Sequence, residues 1–322
     1  MVANAFFCLV GDNIRSMATR IANVDPVLLA LRDAPLAYNS KRQYICLLLR
    51  LQNMTNKSIT QLVTDADETI VAIEGAYADV NTRKAVVVAV KAAVKYSPEL
   101  RSRVLDRMGP WTTFFKEMKR ISVERSMSGE KNAKQRKVWV EWTADVVKAR
   151  EEQEPYSKRH LLLCLYSMVP PLRHDFGNVR IFPTEDDVPD GYAGNHLILS
   201  TREFVLQIYK TSRAMGVYRK KWPPELVRIV RETLKRCPRT YLFEKTLAGG
   251  TGTIPYRDSK DFKEFSNALL RKIFGKNVTI NILRHSFISG IDFNAKRPFE
   301  LAEIASDMRH SIAQQLEYRR NF

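Results

Sequence analysis

The chain has 322 residues, enough for two domains that each bury a core, and its hydrophobic content of 45% is that of a globular protein. Its 52 Lys and Arg against 35 Asp and Glu leave a net charge of +17, a field that attracts polyanions and makes nucleic acid the leading partner. No run of about 18 apolar residues occurs and the basic residues are dispersed, so neither a membrane span nor a basic membrane-surface helix is expected.

The stretch AFFCLV at Ala5 to Val10 is too short for a secretory signal and is followed by Asp12. Cysteines at 8, 46, 164 and 237 have neither zinc-site spacing nor the density of a disulfide scaffold. A reducing, intracellular compartment with all four thiols buried is the expectation, with nucleus or cytoplasm left open. Further along, Ser40 is placed to cap a helix through KRQYICLLLRLQN, where Tyr44, Leu47, Leu48 and Leu51 recur at helical spacing. Asp65 with Glu68 three residues on forms a capping box for DADETIVAIEGAYA. Asn81 or Thr82 opens TRKAVVVAVKAAVKY, which stops before Ser97-Pro98. Together these short helices describe an all-helical domain over residues 1–110.

A highly charged section, 111–158, follows. Gly129 and its polar neighbours in SMSGEKNAKQRK mark an exposed linker, and a helix containing Trp139 and Trp142 continues from it. From Arg159 the texture changes. HLLLCLYSMVPPLRHDFGNVRIF holds a buried apolar segment ending at Pro170-Pro171, HLILS and EFVLQIYK read as strands, and PPELVRIVRETLKRC reads as a helix with proline near its start. Beyond Asp258, helical patterns alternate with short loops.

Five places carry candidate chemistry: Arg173 in VPPLRHDF, Lys210 in LQIYKTSR, Arg284 in NILRHSF, His310 in MRHS and Tyr318 in LEYRR. Each alone has an ordinary reading. Arg173 ends a helix, Lys210 is a strand-end lysine, and His310 is a satisfied core histidine. Tyr318 is a surface aromatic, and Arg284 with His285 lies on the wet side of a helix whose apolar side is Ile282, Leu283, Phe287 and Ile288.

Taken in order, the five resemble the catalytic half of the tyrosine recombinases, the family of phage integrases and chromosome-resolving enzymes. The family's pattern is an arginine after a buried helix, a lysine in a β-hairpin turn, H-x-x-R on a later helix, a histidine or tryptophan, and a tyrosine about nine residues on. The resemblance spans Arg159 to Tyr318, half of the chain. It implies a mostly α fold with a small antiparallel β-sheet: a helical core-binding domain over 1–110, a charged linker and connecting helix over 111–158, and a catalytic domain over 159–322. It also implies a site-specific recombinase or integrase that cuts and rejoins double-stranded DNA through a 3′-phosphotyrosine, working as a homo-tetramer on two paired sites without cofactor, metal or ATP.

The chemistry explains the residue types. A tyrosine that attacks a phosphodiester pushes negative charge onto the non-bridging oxygens, which Arg173 and Arg284 would clamp with forked hydrogen bonds. Lys210 would protonate the leaving 5′ oxygen, His310 would donate a further hydrogen bond, and Tyr318 would form the covalent link. The C-shaped clamp of the family would place Lys41-Arg42, Arg83-Lys84, the linker residues Lys131, Lys134, Arg136 and Lys137, and Arg219, Lys220 and Lys221 on the DNA.

The sequence departs from the family pattern in several places. Asn281 stands where H-x-x-R begins, and an amide donates a hydrogen bond but does not exchange a proton near neutral pH. His285 points about 100° away from Arg284 on a helix. Lys210 lies 37 residues after Arg173, a longer interval than the pattern leads one to expect, and His310 to Tyr318 is eight residues. The chain ends four residues after the tyrosine, which implies a different pairing of subunits or a lost tail. Phe176 stands where a supporting carboxylate is common, with Asp175 as its substitute. Type IB topoisomerases, hairpin telomere resolvases and a non-cleaving DNA-binding relative remain the alternatives.

Overall fold

The computed structural model describes residues 25–247, 252–256 and 258–320, so the AFFCLV stretch and Cys8 lie outside the described residues. The chain divides into two compact units between Arg125 and Ser126.

The described part of the first unit is helical. Asp25 caps the helix Pro26–Asp33 by accepting from the Val27 amide at 3.0 Å. The next helix, Tyr38–Thr55, begins behind Ala37 without a side-chain cap, so Ser40 lies inside it; the turn after Asp33 sets its start. Asn56, left-handed at φ 54°, ends it. Ser58 and Gln61 form a reciprocal capping box for Ile59–Thr64. The expected Asp65–Glu68 box is absent, because Lys57 draws both carboxylates into ion pairs, that to Asp65 at 2.8 Å. Asp79, rather than Asn81 or Thr82, caps Val80–Tyr96, and Ser97 caps Pro98–Val104. The core gathers Leu48, Leu51, Val86, Val90 and Trp111. Trp111, on the helix Gly109–Met127, satisfies its indole N–H on the Val63 carbonyl at 3.0 Å.

Early in the second unit the chain turns through Gly129 (φ 68°). Here the expected continuous helix with both tryptophans breaks. Ala133–Val138 stops at Trp139, Val140 and Glu141 are extended, and a π-helical turn over Trp142–Val147 leads into Lys148–Glu152. The β-branched and aromatic run Val138-Trp139-Val140 disfavours helix, and Asp145 restarts it by accepting from the Glu141 amide at 2.8 Å.

Four short strands form one sheet in chain order: β1 (Arg180–Phe182), β2 (His196–Ile198), β3 (Glu203–Leu206) and β4 (Tyr218–Lys221). Pairing is antiparallel across β2, β3 and β4, and β1 adds in parallel. A separate antiparallel pair joins β5 (Glu244–Thr246) to β6 (Thr253–Pro255). The architecture is mostly α with a small sheet. No described helix is long and apolar enough to cross a membrane.

The helix Lys158–Ser167 explains how the core forms. Leu161 to Tyr166 are all buried, so beyond its exposed first residues, Lys158 and Arg159, the helix has no wet face and must be wrapped by its neighbours. Among them is an aromatic cluster in which Phe176 meets Tyr166 edge-on at 5.2 Å and Phe204 stacks on Trp222 at 4.6 Å. Gly177 lies against the helix Ser259–Phe274 so closely that an added Cβ would stand 2.3 Å from the Phe262 Cβ. Gly177→Ala should therefore lower the unfolding free energy by about 1–3 kcal/mol in chemical denaturation. An unchanged midpoint would mean that turn and helix part without cost.

The cysteines depart from expectation. Cys164 is buried, whereas Cys46 and Cys237 are exposed. Cys46 follows the core residue Ile45 and so faces the other side of its helix, and Cys237 is the C-cap of Pro224–Arg236.

Candidate active site

The Pro170-Pro171 pair stops the buried helix, and the chain turns through Leu172 and Arg173 into a one-turn 3₁₀ segment, Asp175–Asn178. The Tyr166 hydroxyl donates to the Arg173 carbonyl, and buried Phe176 anchors the turn from the other side. Phe176, in the place of a supporting carboxylate, is thus a core residue. Asp175 beside it carries a carboxyl that burial holds above its ordinary value, with Arg173 and Arg284 pulling the other way.

Thr279 caps the helix Ile280–Ser289 through the Ile282 amide. This helix is buried on nearly every side, which overturns the wet-face reading of Arg284 and His285. Arg284 is 1% exposed. Its guanidinium donates to the Pro171 carbonyl and, at 3.4 Å, to the Met308 carbonyl, and lies 5.0 Å from the centre of the Tyr318 ring. Arg173 donates to the Arg309 carbonyl at 3.2 Å. These acceptors are neutral carbonyls, so the hydrogen bonds fix both guanidinium groups without cancelling their charge, and the single Asp175 carboxyl beside them leaves two cations against one acidic group. That balance favours an anion.

His310 is 5% exposed, and neither ring nitrogen has a hydrogen-bond partner among the described residues. Burial, with Arg284 and Arg173 nearby, pushes its pKa down to about 3. A neutral imidazole with an unsatisfied N–H beside two cations is suited to donate to an oxyanion. The Nε of Arg284 is likewise buried without a partner. His174, beside Arg173, is lowered to about 4 by burial, Lys263 and Arg284.

Ser311 caps the helix Ile312–Tyr318 by accepting from the Gln314 amide at 3.2 Å, and this helix presents Tyr318 half-buried at its end. The phenol donates to the Asn281 Oδ1 at 3.2 Å, and its ring meets that of His310 edge-on at 5.6 Å. His285, one position beyond Arg284, turns to the backbone of Tyr318: its Nδ1 lies 2.7 Å from the Tyr318 carbonyl. A carbonyl only accepts, so Nδ1 carries the proton, and burial holds this imidazole neutral with a pKa of about 4.

Arg173, Asn281, Arg284, His310 and Tyr318 thus converge. Lys210 is exposed in the connection between β3 and β4, which includes a one-turn helix, Ser212–Met215. Its neighbours, and not Lys210 itself, touch the cluster: the Thr211 hydroxyl donates to the Arg309 carbonyl at 3.3 Å, and the Tyr209 hydroxyl accepts from Arg309 at 2.7 Å. Arg309 was not singled out from the sequence. Its one legible signal was its position between Met308 and His310.

Several basic residues named for DNA have internal work. Arg83 donates to the Tyr77 and Glu74 carbonyls at the end of the helix Ala66–Ala76, and Lys84 donates to Ser122 at 3.2 Å. Arg136 donates to the Lys131 carbonyl at 2.6 Å, and Lys131 lies over the Trp139 ring. Arg219 pairs with Glu203, and Lys220 with Glu303 and Asp307. Arg42, Lys134, Lys137 and Lys221 are exposed, and Lys41 is half-buried on the first turn of its helix.

Solved structures of similar architecture are tyrosine recombinases. The Tn1549 transposon integrase in complex with transposon right-end DNA matches with a TM-score of 0.55 at 13% identity, over 92% of this chain and 95% of that one. The same integrase in complex with circular-intermediate DNA matches with a TM-score of 0.52 at 12% identity, over 92% and 95%. The XerA recombinase matches over 92% of both chains with a TM-score of 0.39 at 14% identity. The chain has the tyrosine recombinase fold. No protein-family model matches it, and no curated protein matches it in sequence.

Proposed function

We propose that the protein is a site-specific DNA recombinase or integrase that cleaves and rejoins duplex DNA through a 3′-phosphotyrosine. The observation that carries this reading is the convergence of two guanidinium groups hydrogen-bonded to neutral carbonyls, an unpartnered neutral imidazole and a phenol on a recombinase fold. The Tyr318 oxygen attacks phosphorus, and the bond from phosphorus to the 5′ oxygen breaks with its electron pair passing to that oxygen. The Lys210 ammonium supplies the proton that this oxygen takes up. The phenol's own proton passes to water, since the Asn281 amide holds the hydroxyl but accepts no proton. Reversal by a second 5′ hydroxyl rejoins the strand, so neither metal nor ATP is consumed.

Double-stranded DNA is the proposed partner, with the exposed basic residues on its phosphates. A homo-tetramer on two paired sites fits the exposed Ile312 and Leu316 on the nucleophile's helix and exposed Phe299 on the helix Pro298–Asp307, apolar groups suited to a second subunit. Asn281 favours one rival, a relative that binds DNA without cutting it.

Incubation with nicked suicide duplexes should yield a covalent protein–DNA adduct on denaturing gels, without metal or ATP, that is absent in Tyr318→Phe. Tight salt-sensitive binding with no adduct on any candidate attachment site would sink the strand-transfer reading in favour of the rival.

A further inference from the structure

Arg309 is 5% exposed and sits in the left-handed region at φ 54°, where a residue with a Cβ is strained and glycine is not. Its side-chain contacts must offset that strain. The guanidinium is sandwiched between the rings of Tyr209 and Tyr218, at 5.1 and 4.7 Å from their centres. It donates to the Tyr209 hydroxyl at 2.7 Å and to the Met215 carbonyl at 3.2 Å. The Tyr209 hydroxyl in turn donates to the Gly216 carbonyl at 2.6 Å, closing the segment on itself. Most of these contacts end on the segment 209–218, which carries Lys210; one more, to the Ser306 carbonyl at 3.2 Å, stays within Arg309's own turn.

The backbone of the same residue reaches the clamp. The Arg309 carbonyl accepts from the guanidinium of Arg173 as well as from the Thr211 hydroxyl, the preceding Met308 carbonyl accepts from Arg284, and His310 follows. One residue thus holds the lysine segment, chiefly with its side chain, and the phosphate clamp with its backbone. We infer that Arg309 is a positioning residue that fixes where the Lys210 ammonium stands relative to the bound phosphate. This rests on the strand-transfer reading and deepens it: Arg309 serves the departure of the 5′ oxygen and not the binding of the phosphate.

Arg309→Gly is the informative variant, since glycine adopts the left-handed turn freely and keeps the carbonyl that Arg173 uses. Single-turnover cleavage should slow about 10²-fold through misplacement of the proton donor. The readout specific to positioning is a substrate with sulfur in the 5′ bridging position, whose thiolate leaves without a proton. On it Arg309→Gly and Lys210→Ala should both cleave near the parental rate, while Arg284→Ala stays inactive. Amide hydrogen exchange across 207–217 should quicken in Arg309→Gly, with the Ile280–Ser289 helix unchanged.

A variant equally slow on oxygen and sulfur substrates, or not slowed at all, would overturn the inference, as would unaltered exchange across 207–217. If the parent formed no adduct on either substrate, the strand-transfer reading would fail, and the exchange measurement alone would decide whether Arg309 holds the segment.

Discussion

Arg284→Ala should form covalent adduct at least about 10³-fold more slowly than the parent, since even one preorganised donor to a transition-state oxyanion is worth about 10²–10³. Duplex affinity should stay within roughly a few-fold, because it rests on phosphate contacts spread over many basic residues. The alanine also strands the Pro171 and Met308 carbonyls that Arg284 satisfies, at about 1–3 kcal/mol for each buried group left unpaired. Arg284→Lys separates the two effects. It retains a charge at the site but not the fork, so it should bind DNA and stay folded yet cleave about 10²-fold slower. Single-turnover gels alongside thermal melts make the comparison, and parental cleavage by Arg284→Ala would show that this motif does not hold the phosphate.

Acid should weaken the fold well above the carboxylate range. His310 and His285 have native pKa values near 3 and 4, both depressed mainly by burial. Their unfolded value is about 6.5. The unfolded chain therefore takes up protons first as pH falls, and stability is lost from about pH 6.5 downward. By pH 5 each histidine accounts for about 2 kcal/mol of lost unfolding free energy, or about 4 kcal/mol together. Asp175, whose carboxyl burial raises, acts in the opposite sense. His174, also depressed to about 4, adds a similar share. Urea unfolding at intervals between pH 7.5 and 5 would register the slope, and His285→Gln should remove about a third of it. A flat profile would mean that these imidazoles are not held neutral in the native state.

The elements legible in the sequence were those with a local cause. The apolar run Leu161 to Tyr166, the strands beginning at His196 and Glu203 and the proline-led helix at Pro224 follow from pattern and punctuation. The catalytic candidates were legible because residue type and order are themselves chemical statements. What escaped depends on contacts distant in the chain. Lys57 takes Asp65 from its helix across eight residues, a competition that no capping pattern displays. Arg284 was read as wet because its neighbours Ile282, Leu283, Phe287 and Ile288 offered one apolar side. Its burial comes from segments around Pro171 and Met308, 113 and 24 residues away. Arg309 meets Tyr209 across 100 residues, and only the folded chain shows why an arginine occupies a glycine-like conformation.

The ten-residue helix Ile280–Ser289 holds more than the phosphate clamp. Its His285 ring meets the Tyr318 carbonyl, and its Ser289 hydroxyl accepts from the Arg320 amide at 2.8 Å, so Tyr318 is moored on both sides to the rod that bears Arg284. A single helix is stiff over that length, so Tyr318 and Arg284 share one rigid frame. Under the strand-transfer proposal, custody of a broken strand would therefore stay with the polypeptide that broke it. Exchange between duplexes would then be achieved by handing over the free 5′ ends, while the tyrosine-bound ends remained where they were cut.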